Sequence, residues 1–193
     1  MTTSTYVPSL QHLAFLSARH HVKPDCVQDP VFYLWQVVVQ TWFEARDGYL
    51  MRMRGSMPDT PVIDVRAIEP SPQTDLGRWT ERRIFLVECK SPLCDTPTGW
   101  QAPLAGQPQE EDTSNNLNLS AKRPVGATAI GKKVRFYKYD EEAAEGQQPE
   151  LIPLHENPMD MSNDYGVAQV ENMMDYIKAT MGSPDRESVT PEE

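Results

Sequence analysis

The sequence predicts an α/β sandwich, a mixed central sheet flanked by helices, with elements in the order αβββαββα. Three observations carry that expectation. Residues 31–46 and 164–181 place apolar side chains at helical spacing. Residues 62–68 and 83–90 are apolar runs of strand length that end in charged residues. The resulting order of elements is that of an α/β sandwich with a mixed sheet.

The elements follow in order. Residues 1–28 are expected to form an N-terminal extension, with Leu10, Leu13, Ala14 and Phe15 as a short apolar-periodic piece that docks on the core. Asp29-Pro30 reads as a helix start, an N-cap acid followed by proline at the first helical position. Val31, Leu34, Trp35, Val38, Trp42 and Phe43 then form a buried helical face, and Gly48 fits the stop. Strands are expected near 49–54, 62–68 and 83–90, then a weak helical or irregular region, then strands near 125–131 and 133–139. Val167, Val170, Met173, Met174 and Ile177 make the apolar face of a last helix over 164–181. One domain therefore spans 29–181, and 182–193 is expected to be a disordered acidic tail.

Composition excludes several classes of protein. The longest apolar run, within Val31 to Phe43, is interrupted by Tyr33, Gln36, Gln40 and Thr41 and falls short of a membrane span. The N-terminus shows no signal-peptide pattern. The expectation is an intracellular protein of the cytoplasm or nucleus, with no membrane partner. Three cysteines, Cys26, Cys89 and Cys94, lack metal-ligand spacing and are odd in number, so no disulfide is expected. The formal net charge of −10 does not suit a general nucleic-acid binder. All of that charge is nevertheless carried by residues 110–112, 140–145 and 182–193, so the rest of the chain is neutral. Oligomeric state is not readable from these features.

The chemistry-bearing segment is Arg82-Arg83-Ile84-Phe85-Leu86-Val87-Glu88-Cys89-Lys90. Side chains alternate faces along a strand, so Glu88 and Lys90 point one way and Cys89 the other. A carboxylate beside an ammonium suits phosphodiester hydrolysis: the acid can hold a divalent metal, and the Lys can orient a water or offset charge in the transition state. A second acid is needed, and Asp59 and Asp64 are the candidates. If strands 62–68 and 83–90 form a hairpin in which Ile68 faces Ile84, Asp64 falls opposite Glu88. Asp59 requires a strand through Pro61, which a central strand tolerates poorly. Asp64 is therefore preferred.

With Asp64, the run Glu88-Cys89-Lys90, the preceding Trp42-Phe43-Glu44-Ala45-Arg46-Asp47-Gly48-Tyr49 and the later Ala129-Ile130-Gly131-Lys132-Lys133-Val134-Arg135-Phe136-Tyr137, the chain resembles the PD-(D/E)XK superfamily, the restriction-endonuclease-like nucleases, and in particular its small fungal proteins. The resemblance implies a Mg²⁺- or Mn²⁺-dependent nuclease acting on nucleic acid. Asp64, Glu88 and the carbonyl of Cys89 would hold the metal, and Lys90 would orient the attacking water; Asp64, Glu88 and Lys90 are thus the implied catalytic residues. Two departures stand beside it. Ile63, not proline, precedes Asp64, and Pro103, Gly106 and Pro108 interrupt the helix expected after the Lys strand. The interrupted helix, together with the acidic loops, supports a second reading, a catalytically inactive member of the same fold acting as a scaffold with a protein partner. Glu44 is a further candidate acid. His20-His21, His12 and His155 lack partners at ligand spacing and read as surface features.

Overall fold

A computed structural model of the chain describes residues 9–54, 60–70, 79–101, 124–139 and 151–181. These residues form a mixed α/β structure of a seven-stranded sheet and four helices. The helices are α1 (Leu13–His21), α2 (Gln28–Trp42), α3 (Pro97–Gln101) and α4 (Asp164–Met181). The strands are β1 (Tyr49–Arg54), β2 (Val62–Pro70), β3 (Trp79–Lys90), β4 (Val125–Ile130), β5 (Lys133–Tyr139), β6 (Leu151–Pro153) and β7 (Met159–Asp160). The sheet runs β1-β2-β3-β4-β5-β6, with β7 also paired to β5. All pairings are antiparallel except β3 with β4. Asp59 and the three acidic stretches, the last of them the tail, lie outside the described residues.

The α2 helix begins earlier than Asp29-Pro30 suggests. Its N-cap is Val27, with no side-chain cap, and Pro30 lies in the first turn. Proline is tolerated there because the first-turn N–H groups have no intrahelical acceptor. The helix ends at Trp42, and Gly48 closes the following 3₁₀ turn Ala45–Asp47 with φ +86°. Strands β6 and β7, of 3 and 2 residues, were too short to show a periodic pattern.

Period-2 alternation divides the sheet into two unlike faces. Ile63 and Val65 of β2, Phe85, Val87 and Cys89 of β3, Ala127 and Ala129 of β4, and Val134 and Phe136 of β5 point to one face and join a single core with Trp35, Val38, Val39, Met174 and Ile177 of α2 and α4. Leu10 and Phe15 belong to the same core. The small residues Ala127 and Ala129 sit where Trp35 and the Phe85–Phe136 ring stack take the space; the latter centroids are 6.1 Å apart.

Strands β2 and β3 are antiparallel neighbours as expected, but in another register. Ile68 faces Glu81, not Ile84, and Asp64 faces Leu86, not Glu88; Val62 is the residue opposite Glu88. The cause lies at the hairpin, where β2 runs on to Pro70 and β3 starts at Trp79, so the connection is shorter than a loop over 69–81. A bulge between Val65 and Arg66 then shifts the register once more, and Ile84 is the extra residue.

Core and periphery should respond differently to truncation. Phe85→Ala removes a ring stacked between Phe43 and Phe136 and should cost about 3–5 kcal/mol in urea unfolding. Trp79→Ala removes a side chain that is 68% exposed and should change stability by no more than about 0.5 kcal/mol.

Candidate functional site

The second face of the sheet carries the charged residues. Register places Val62, Glu88, Thr128 and Arg135 in one row across β2 to β5, and Arg52, Asp64, Leu86, Gly126 and Tyr137 in the next row across β1 to β5. Asp64 and Glu88 thus share a face, as diagonal neighbours and not as a directly opposed pair. Diagonal positions on adjacent strands lie roughly 7–8 Å apart. An Asp and a Glu side chain leaning together can span that.

Asp64 is fully buried, and both its oxygens are taken by guanidinium groups. Arg66 donates from Nε and Nη2 to Oδ2 at 3.2 and 3.0 Å. Arg83 donates from Nε to Oδ1 at 3.1 Å and from Nη2 to Oδ2 at 3.2 Å. Arg66 shares the face because it lies two residues along the same strand. Arg83 shares it because of the bulge: with Ile84 extra, Arg66 pairs with Arg83, and the parity of β3 is reversed below Phe85. Arg82 is consequently turned to the helix side, where it bonds Glu69 at 2.7 Å and the Met181 carbonyl at the end of α4 at 2.9 Å. A cation is favoured there by the unpaired carbonyls of a helix C-terminus.

Glu88 and Lys90 lie on this face as alternation requires, with Nζ 3.5 Å from Oε2 and side chains only 5% and 10% exposed. Lys90 also donates to the Gly99 carbonyl at 3.2 Å. Tyr137 is close by; burial raises its phenol above the ordinary range, the positive charge of Arg135 opposes that, and the negative charge of Glu88 adds to it. Cys89, between the two charged residues, turns its thiol into the core. Burial raises that thiol well above its usual pKa, and the Glu88 charge adds to the effect. The thiol of Cys89 therefore takes no part in this face.

Sequence reasoning located Asp64, Glu88 and Lys90 on one face but missed the two arginines on Asp64. Arg66 was findable by counting two residues along β2. Arg83 was not, because uniform alternation from Glu88 selects Arg82. Glu44 follows α2 and pairs with the exposed Arg46 at 2.8 Å, so no contact links it to this face among the described residues. Among those residues no group of three or more His, Cys, Asp or Glu side chains is placed to hold a metal ion. No helix is long and apolar enough to cross a membrane. Comparison with protein-family models, curated proteins and solved structures finds no match to this chain.

Two outcomes test the site as described. Asp64→Ala leaves two buried guanidiniums facing each other and should destabilise by about 3–5 kcal/mol, with strong non-additivity in a double-mutant cycle with Arg83→Ala. Iodoacetamide at neutral pH should alkylate the half-buried Cys26 and Cys94 and spare Cys89 until the protein unfolds, as peptide mass spectrometry would read.

Proposed function

We propose that the chain is a metal-dependent phosphodiesterase acting on nucleic acid, of the restriction-endonuclease-like type, with Asp64, Glu88 and Lys90 as its catalytic residues. The observation that carries this reading is the Glu88–Lys90 pair, nearly buried at the end of β3 on the same face as Asp64. Two opposite charges held away from water at a strand end are costly, and such placement is commoner where chemistry uses it. The arrangement of an antiparallel β1-β2-β3 meander, with β4 parallel to β3 after a crossover, agrees with the element order the resemblance implies.

Oxygen donors suit Mg²⁺ or Mn²⁺, and Mg²⁺ is commonly held by one or two carboxylates plus substrate oxygens. Asp64, Glu88 and the Cys89 carbonyl fit that donor set. The ion would supply positive charge to phosphoryl oxygens and lower the pKa of a bound water. Lys90 would hold the attacking water and offset charge developing on phosphorus. Arg66 and Arg83, which grip Asp64, are near enough to the same face to attract a phosphodiester.

A second reading, a catalytically inactive member of the fold that serves as a protein scaffold, is favoured by two specific observations. Val62, an apolar residue, occupies the position directly opposite Glu88, and Asp64 is already saturated by two guanidiniums. On that reading Asp64 is a structural charge and Glu88–Lys90 a structural ion pair.

Cleavage of a mixed panel of single- and double-stranded DNA and RNA separates the two. The nuclease reading expects cleavage with Mg²⁺ or Mn²⁺ that chelation abolishes, and a loss of about 100-fold or more in Glu88→Gln and Lys90→Ala. Full activity in Glu88→Gln, or no metal-dependent cleavage of any substrate by the wild-type chain, decides for the scaffold.

A further inference from the structure

Lys90 does not face open solvent. Between β3 and α3 the chain makes a 3₁₀ turn, Pro92–Cys94, and then the single turn of α3 crosses the charged face. The start of this segment is anchored: the Ser91 hydroxyl donates to the Cys26 carbonyl at 2.8 Å and accepts from the Leu93 N–H at 3.2 Å. Its far end is held by side chains of the sheet. Lys90 donates to the Gly99 carbonyl at 3.2 Å, and the Tyr137 hydroxyl donates to the Trp100 carbonyl at 3.2 Å. The Arg135 guanidinium lies 5.4 Å from the centre of the Trp100 ring. Asp95 ties the two ends together, accepting from the Trp100 indole at 2.8 Å and from Lys133 at 2.7 Å.

Two further features show what kind of element this is. No side chain of residues 91–100 belongs to the hydrophobic core, and Leu93 is 71% exposed. Apart from Pro92, which packs against Gly131, the segment is attached by a few polar contacts and one cation–π contact, the pattern of a low-stability local unit. The turn within the segment is nonetheless specific, because a Cβ at Gly99 would run into the Cys94 carbonyl oxygen, so glycine lets the turn close on itself in the form that presents the 99 carbonyl.

We infer that Pro92–Trp100 is an autoinhibitory strap, latched over Lys90 by the Gly99 carbonyl and held by Asp95, Arg135 and Tyr137, that must lift before Lys90 can meet a substrate. Strap and latch stand on these contacts alone; only their consequence for turnover rests on the nuclease reading. While latched, the Lys90 ammonium is divided between Glu88 and a carbonyl of the strap. Lifting the strap frees the ammonium and uncovers Tyr137 and Arg135 beside it.

The test is amine acetylation of the full-length chain, read at Lys90 by peptide mass spectrometry, with the exposed Lys138 as internal reference. In the wild type Lys90 should label about 10-fold or more slowly than Lys138. Gly99→Ala and Trp100→Ala should raise Lys90 labelling roughly 10-fold while Lys138 is unchanged and Cys89 stays protected from alkylation, the control for global unfolding. Asp95→Asn, which alters no backbone packing, should raise it in the same direction and keeps the test decisive if a larger change impairs folding. Equal labelling of Lys90 and Lys138 in the wild type, or Lys90 labelling unmoved in all three folded variants, overturns the strap. If labelling rises but no variant cleaves nucleic acid, the strap stands and the nuclease reading falls.

Discussion

The carboxylate of Asp64 is the constraint around which the charged face is built. It has no exposed surface, and an ionised carboxylate so placed is tolerable only with opposite charge and hydrogen bonds on its oxygens. Arg66 supplies half of that compensation from the same strand. The other half depends on the bulge, because the single extra residue Ile84 decides which of two consecutive arginines meets Asp64. With Arg83 on the carboxylate, Arg82 is left to join β3 to Glu69 and to the end of α4. One inserted residue thus sets both the electrostatics of one face and an attachment of the last helix on the other.

The two faces answer different demands. On the helix face, Ala127 and Ala129 make room, Phe85 and Phe136 fill it, and Trp42 satisfies its indole N–H through Asp175 at 2.6 Å, whereas the buried Trp35 indole N–H finds no partner among the described residues. On the opposite face the same strands carry Asp64, Arg66, Arg83, Glu88, Lys90 and Arg135. Replacing buried ion pairs with apolar residues of similar volume is often neutral or stabilising, so their retention on a sheet that could pack apolar side chains is not explained by stability. The proposed function would give that face a use that accounts for them.

Much of this architecture was legible in the sequence, and what escaped it has identifiable causes. The helix over 164–181 and the strand over 133–139 match their expected limits, because their apolar periods are unbroken and Gly131 marks the turn. The start of α2 was displaced because Val27 caps it without any side-chain bond, which leaves no signature. On the Asp64 side of the bulge the β2–β3 register was displaced by two residues, an even number, and that is why Asp64 and Glu88 still fell on one face although they are not opposed. The bulge was invisible, since Ile84 and Phe85 are both apolar and both fully buried, and no glycine or proline announces the break. Trp100 joined the site through the strap, whose course after Lys90 depends on tertiary contacts and not on any local period.

The register also sharpens what the two functional readings require of the same atoms. A directly opposed Asp and Glu would bring their carboxylates together with little adjustment, whereas a diagonal pair must lean toward each other from adjacent rows, past Leu86 beside Asp64 and Val62 beside Glu88. Asp64 leans instead toward Arg66 and Arg83, so a shared cation has to compete with two guanidiniums for its oxygens. That competition is weakest when a second anion is present, because a phosphodiester on the same face gives Arg66 and Arg83 another acceptor of fitting geometry. A nuclease of this construction would assemble its metal site with its substrate and hold little metal without it. An inactive scaffold would keep the arginine clamp intact under every condition, and so the decisive quantity is the coupling between metal and phosphodiester, not metal affinity alone.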